Sequence, residues 1–266
     1  MTSAKKERLD HLLVMRGLAP SRERAQALIM AGLVTVDGRL VDKAGAQVPE
    51  DALCEVREGR GELRYASRGG LKLEAALDAF GLDPAGFVCL DVGASTGGFT
   101  DLLLQRGARL VYAVDVGQGQ LAWHLRQDAR VVLMERTNIR ALDRLPEAPA
   151  CAVIDVSFIS LRLVLPRVAA LTSEDAWIVA LVKPQFEAGK AEADRGAGVI
   201  RDPAVRRRVL LDLLGWASEQ QPALFPHGVI ASPIAGREGN REYLLWLGKQ
   251  PGNDPAVDAA AVERAL

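Results

Sequence analysis

Hydrophobic positions early in the chain recur at helical spacing. Within residues 7–16, Leu9, Leu12 and Leu13 fall at i, i+3 and i+4, which places them on one helix face, and Gly17 follows as a stop. Ser21, after Pro20, offers the N-cap of a second helix, with Ala25, Leu28 and Ile29 on its inner face and Gly32 closing it. The stretch LVTVDGRLV then predicts a hairpin about Asp37 and Gly38, because an Asp-Gly pair accepts the positive φ values of a tight primed turn. One further strand, ALCEV, ends near Val56, and the Gly- and charge-rich REGRGELR over 57–64 reads as a linker.

From residue 85 the rhythm changes to short apolar runs separated by helical stretches. FVCLDV, RLVYAVD, RVVLME, CAVID, WIVALV, GVIAS and YLLWL predict strands, several of them apolar almost throughout, as expected where both faces of a sheet are covered. The segment from Asp202 to about Glu219 predicts a helix with Asp202 as N-cap and Pro203 at the first helical position. The expected architecture is α/β: a doubly wound, Rossmann-like domain over 69–249 preceded by a small α+β module over 1–60. Residues 61–68 are expected to link them, and 250–266 to form a tail with a short terminal helix.

Composition fits that picture. The 266 residues are 49% hydrophobic and 25% charged, enough to bury a real core. No apolar run approaches the roughly 18 residues of a membrane span, and the charged N-terminus lacks the apolar stretch of a signal peptide, so a cytoplasmic protein is expected. Cys54, Cys89 and Cys151 lie far apart in apolar stretches without metal-ligand spacing and read as core residues; no metal site is expected. Net charge is −1, but residues 1–72 carry 13 Lys/Arg against 10 Asp/Glu (+3), leaving 20 against 24 (−4) for the remainder. The polarity of the two parts suggests a polyanion met by the first.

Candidate chemistry gathers at strand ends. LDVGASTGGFTDLLL, residues 90–104, is a strand, a glycine-rich turn and a helix, the arrangement that binds a cofactor at the carboxyl end of a first strand. Gly93, Gly97 and Gly98 give GxxxGG, with Ser95 where a dinucleotide fingerprint needs its second glycine, and no phosphate-binding GKS or GKT follows. Asp115 closes the second strand, where a carboxylate can accept hydrogen bonds from ribose hydroxyls. Asp155 directly follows CAVI and Lys183 directly follows WIVALV; at the carboxyl ends of parallel strands both should face one crevice, and a buried lysine there calls for a carboxylate partner. A structural ion pair at the sheet edge is the competing reading. Asn138 in ERTN fits either an adenine edge or a plain turn, Ser157 can line the pocket, and Phe158 fits either the pocket or the core.

The turn 91–98, with Asp91 two residues ahead of Gly93, resembles S-adenosylmethionine-dependent methyltransferases. The resemblance implies that the backbone of Gly93, Ala94, Ser95, Thr96, Gly97 and Gly98 approaches a cofactor without phosphates. Asp91, Asp115, Asn138 and Asp155 would complete the site. RLDHLLVMRGLAPSRERAQALIMAGLVTVDGRLV is similar to the RNA-binding domain named after ribosomal small-subunit protein S-four. SRGGLKLEAAL and GREGNREYLLWL supply Lys72 and Glu242, which with Asp155 and Lys183 resemble the Lys-Asp-Lys-Glu tetrad of FtsJ-like ribose 2′-O-methyltransferases, provided the last strand runs antiparallel. With DVGQGQLAW, DVSFISL and LVKPQFE added, residues 7–248 resemble the TlyA family.

That family implies methylation of cytidine 2′-hydroxyls in ribosomal RNA of the large, and in some members the small, subunit; a monomer is expected. The chemistry of such a transfer, which needs a proton acceptor beside the hydroxyl, makes Lys183 the expected base or, alternatively, electrostatic support for the oxygen. Arg16, Arg22, Arg24, Arg64, Tyr65 and Arg68 are the expected RNA contacts, against the plainer reading of solvated surface charge. The alternatives are an RNA-binding assembly factor with an inactive fold, disfavoured by the complete tetrad, and a membrane-active protein of the kind some family labels suggest, for which the sequence offers no spanning helix.

Overall fold

The computed structural model describes residues 6–30, 32–41, 43–56, 64–220, 223–236, 239–251 and 257–266. The chain divides into two compact units, Met1–Arg68 and Gly69–Leu266.

In the first unit, β1 (Lys6–Arg8) leads into α1 (Leu9–Met15) and α2 (Arg22–Met30), followed by β2 (Val34–Val36), β3 (Arg39–Leu40), β4 (Gln47–Pro49) and β5 (Cys54–Val56). The helix pair follows the leucine pattern, and the Ser21 hydroxyl accepts from the Arg24 amide at 3.2 Å as the expected N-cap. Asp37 (φ 49°) and Gly38 (φ 74°) make the primed turn between β2 and β3, and β5 pairs with β2 on the other side. The pairing of β1 with β4 was not legible in the sequence: each has three residues, too few for alternation to show. Leu9, Leu12, Leu13, Ile29 and Val34 fill the core.

Asp10 is fully buried among these apolar groups. Its carboxylate accepts from Arg8, from Arg22 Nε at 3.1 Å and from Gln26 at 2.8 Å. Burial pushes the carboxyl upward, but these donors outweigh it and hold it well below the usual carboxylate range.

In the second unit, α3 (Gly69–Phe80) precedes β6 (Val88–Val92), α4 (Gly98–Gln105), β7 (Leu110–Val114), α5 (Trp123–Arg126), β8 (Val131–Met134), β9 (Cys151–Ile154), α6 (Leu165–Leu171) and β10 (Trp177–Val182). Then come α7 (Pro184–Glu187), α8 (Lys190–Arg195), α9 (Pro203–Ser218), β11 (Phe225–Ala231), β12 (Tyr243–Gly248) and α10 (Ala259–Ala265). The seven expected strands form one sheet in the order β11-β12-β10-β9-β6-β7-β8. β6 to β10 run parallel, and β12 lies antiparallel between β10 and β11. The order reverses between β6 and β9, the position at which open α/β sheets leave a ligand crevice.

Asp202 caps α9 through the Ala204 amide at 2.9 Å, with Pro203 in the first turn, as the sequence predicts. The three cysteines are free and buried. The expected terminal helix forms as α10, and its Val262, fully buried, belongs to the core beneath the sheet, packed against β11 and α9.

Replacing Asp10 with Asn weakens its charge-assisted hydrogen bonds to Arg8 and Arg22 and should destabilise the first unit by roughly 2 kcal/mol, measured by hydrogen exchange of the α1 amides. Because the folded carboxyl titrates below its unfolded value, the stabilisation is present above about pH 4 and is lost as pH falls. The difference between wild type and variant should therefore shrink in acid.

Candidate active site

Three carboxylates stand at the carboxyl ends of adjacent strands. Asp91 lies within β6, while Asp115 and Asp155 immediately follow β7 and β9. Asp91 is fully buried; Oδ2 accepts from the Thr100 hydroxyl at 2.6 Å, whereas Oδ1 has no partner. Burial pushes this carboxyl up to about 7, and the negative charges of Asp155 and Asp115 push in the same direction, against the Thr100 hydrogen bond. Asp115 is held from two sides: Oδ2 accepts from the Ser95 amide at 2.8 Å and Oδ1 from the Gly117 amide at 2.7 Å.

The turn between β6 and α4 needs its glycines. Gly93 has φ 85°, and a Cβ there would stand 2.4 Å from the Asp155 carbonyl oxygen; Gly97 has φ 96°, and a Cβ would meet Leu125 Cδ1 at 2.2 Å. Gly93 thus lets the end of β9 close on the turn, and Gly97 lets Leu121 and Leu125 pack under it. Ala94 and Thr96 are buried, Ser95 (φ 47°) forms the crest, and Gly98 begins α4. Asn138 caps a short 3-10 helix, its side-chain oxygen accepting from the Arg140 amide, so that oxygen serves the turn.

The second group lies where β9, β10 and β12 meet. Lys183 follows β10 and is 9% exposed; its Nζ stands 2.6 Å from Asp155 Oδ1 and donates to the Ser157 hydroxyl at 2.9 Å. The pair with Asp155 is close yet out of line for a hydrogen bond, which leaves Oδ1 without an aligned donor, so Ser157 sets the direction of the amine. Val182 faces Tyr243 in the antiparallel register, and one step further Lys183 faces Glu242. Glu242, 4% exposed, accepts from Lys72 Nζ on α3 at 2.5 Å. Lys72, Asp155, Lys183 and Glu242 are thus brought to one sheet edge as two ion pairs, each lysine offset by a carboxylate. Gly236 makes room for this, since a Cβ there would lie 2.4 Å from Glu242 Oε1.

Several supports escaped the sequence reading. Glu187 accepts from the Ser160 hydroxyl at 2.6 Å and the Leu161 amide at 2.7 Å, tying the loop after β9 to α7. Asn240, 1% exposed, accepts from the Ile200 amide and donates to the Gly198 carbonyl, fixing the loop ahead of Glu242. Glu187 lies in the motif KPQFE and Asn240 in EGNRE; what they bond is decided by distant segments. The core reading of Phe158 is incorrect: it is 91% exposed at φ 63°, with the ring of Phe186 beside it, 5.2 Å between centroids.

Among the expected RNA contacts, Arg16 donates to the carbonyls of Ala52 and Glu50, and Arg22 is bonded to Asp10. Both therefore hold the first unit together. Tyr65 is buried with the Arg64 guanidinium 5.5 Å from its ring centroid, so the ring is not displayed. Arg24 is partly exposed, and Arg68 is partly buried at the end of the first unit.

The donor set fits S-adenosylmethionine: three carboxylates at adjacent strand ends, with Asp91 Oδ1 buried and without any partner, suit a cationic, ribose-bearing ligand without phosphates. The sheet order, the glycine turn and this acidic edge define a Rossmann-like methyltransferase fold. Comparison with known proteins agrees. The FtsJ-like methyltransferase profile matches residues 65–249 and the S4 domain profile residues 7–53. The chain is 48% identical to 16S/23S rRNA (cytidine-2′-O)-methyltransferase TlyA of Mycobacterium tuberculosis, over 99% of this chain and 97% of that one. It is 39% identical to Hemolysin A of Brachyspira hyodysenteriae, over 89% and 98%. The solved structure of a hemolysin-named protein from Streptococcus thermophilus matches with a TM-score of 0.72 at 41% identity, covering 99% of this chain and 96% of that one. The chain belongs to the TlyA family of FtsJ-like methyltransferases that carry an S4 domain. No helix among the described residues is long and apolar enough to cross a membrane.

The Asp91 titration gives a test. Its folded pKa is raised, so its ionisation costs stability as pH rises from about 4 through about 7. Asp91→Asn should gain thermal stability relative to wild type across that window. Wild type, but not the variant, should bind S-adenosylmethionine more tightly as pH rises through 7, measured by calorimetry.

Proposed function

We propose that this protein transfers a methyl group to the ribose 2′-hydroxyl of cytidine in ribosomal RNA. The observation that carries the reading is the convergence of two lysine–carboxylate pairs at the carboxyl edge of β9 and β10, beside the glycine turn. The target follows the name of the M. tuberculosis relative, and the S4 domain suits docking on structured RNA within the ribosomal subunit, with Arg24 and Arg68 among its contacts.

The backbone of 93–98, with Asp91 and Asp115, holds S-adenosylmethionine. That cofactor supplies a methyl group on a positively charged sulfur, already activated toward displacement. What this chain must add is position and proton acceptance. In its free-amine form, Lys183 accepts the proton of the 2′-hydroxyl at Nζ, leaving the ribose oxygen nucleophilic, while Asp155 offsets the ammonium charge that forms and Ser157 aims the amine. Lys72, held by Glu242, adds positive charge beside the oxygen.

The 2.6 Å contact with Asp155 favours a second reading, in which Lys183 stays an ammonium and only steadies the oxygen. Lys183→Met should lower transfer by roughly 10²–10⁴-fold and leave S-adenosylmethionine binding intact, with radiolabelled cofactor and unmethylated subunits as the assay. Lys183→Arg separates the two roles: arginine keeps the charge and cannot accept a proton at working pH. A base role predicts that this variant is as inactive as Lys183→Met, and substantial activity would establish the electrostatic role.

A further inference from the structure

Asp115, the carboxylate at the end of β7, is shaped by a strap of chain, residues 115–122, that runs from β7 to α5. Gly117 on the strap donates to Asp115 Oδ1, and the Ser95 hydroxyl at the crest of the glycine turn donates to Gln120 Oε1 at 3.3 Å. The Ala122 amide donates to the Thr96 carbonyl at 3.2 Å. Leu121 and Leu125 fill the space that Gly97 leaves open. Strap and turn are therefore one surface, and whatever sets the shape of the strap sets the direction of Asp115.

A side chain outside the strap holds its middle. Glu135 directly follows β8, and its Oε1 accepts from the Gly119 amide at 2.7 Å and from the Arg126 guanidinium on α5. Arg126 in turn donates through Nε to the Leu121 carbonyl at 3.1 Å, so one ion pair grips the strap at Gly119 and at Leu121. The pair is largely screened from solvent, with side-chain exposures of 25% for Arg126 and 19% for Glu135. A partly buried, charge-assisted clamp is stronger than a surface pair. Gly117 and Gly119 give the strap no stiffness of its own.

The geometry points to Glu135, with Arg126, as the positioning residue of the cofactor site: it fixes the strap so that Asp115 and the 93–98 turn stand ready before the cofactor arrives. Preorganisation of this kind acts on affinity, since a loose strap must be ordered upon binding. The inference rests on the reading of the 93–98 turn as the S-adenosylmethionine site and not on the RNA target.

The test uses the full chain and S-adenosylmethionine alone. Glu135→Ala and Arg126→Ala should each weaken binding about tenfold by calorimetry, and the double variant should be no weaker than either single one, because both break one clamp. Glu135→Gln keeps an acceptor for the Gly119 amide and should fall between wild type and Glu135→Ala. Hydrogen exchange at the Gly119 amide should quicken in the alanine variants, and in the methylation assay KM for the cofactor should rise while kcat at saturation holds. Unchanged affinity in both alanine variants, or a fall in melting temperature without a change in affinity, overturns the inference. Failure of the wild type to bind S-adenosylmethionine overturns instead the reading on which it rests.

Discussion

Two lysines buried at the end of an apolar sheet can persist only against carboxylates, because an ammonium taken out of water without a counter-charge costs far more than the fold can supply. Lys183 has Asp155 from the neighbouring parallel strand, and Lys72 has Glu242 from the antiparallel one. The topology of the second unit can be understood through this constraint. Inserting β12 antiparallel beside β10 places its first residues, where Glu242 sits, at the edge where the parallel strands end. A seventh strand running the other way would have left Glu242 at the far end of the sheet and Lys72 unpaired.

Around this pairing the edge is divided by charge. Toward β6 and β7 it is acidic, with Asp91 and Asp115 unaccompanied by lysine; toward β10 and β12 each carboxylate has its cation. A positively charged cofactor and a hydroxyl that must lose a proton call for those two environments side by side. Asp155 belongs to both, since its charge acts on Asp91 and its Oδ1 meets Lys183. At Gly93 the backbone of Asp155 comes so close that no side chain fits, and at Gly236 a Cβ would push against the Glu242 carboxylate.

The first unit solves a similar problem for a different end. Asp10, fully buried, gathers Arg8, Arg22 and Gln26, while Arg16 ties α1 to the loop before β5 through two carbonyls. Arginines that look in sequence like a nucleic-acid face are partly spent on internal bonding. A domain of this size has little apolar core, and buried polar contacts with every donor placed supply definition that packing alone does not.

The local patterns were legible from the residues alone. Seven apolar runs gave seven strands, Asp37-Gly38 gave its hairpin turn, and Ser21 and Asp202 capped their helices, since each depends on neighbours a few residues away. The site residues Asp91, Asp155 and Lys183 could be placed because a strand's carboxyl end is visible in the pattern. Glu242 needed the direction of β12, which no local signal carries. Only the tertiary structure decided that the tetrad stands as two separate pairs, that Ser157 aims Lys183 while Phe158 is turned outward, that Asn138 serves a turn, and that Glu135 grips a strap sixteen residues before it. These are contacts between segments distant in sequence, set by how the sheet packs, and a residue's identity names the bonds it can make without saying which partner will be in reach.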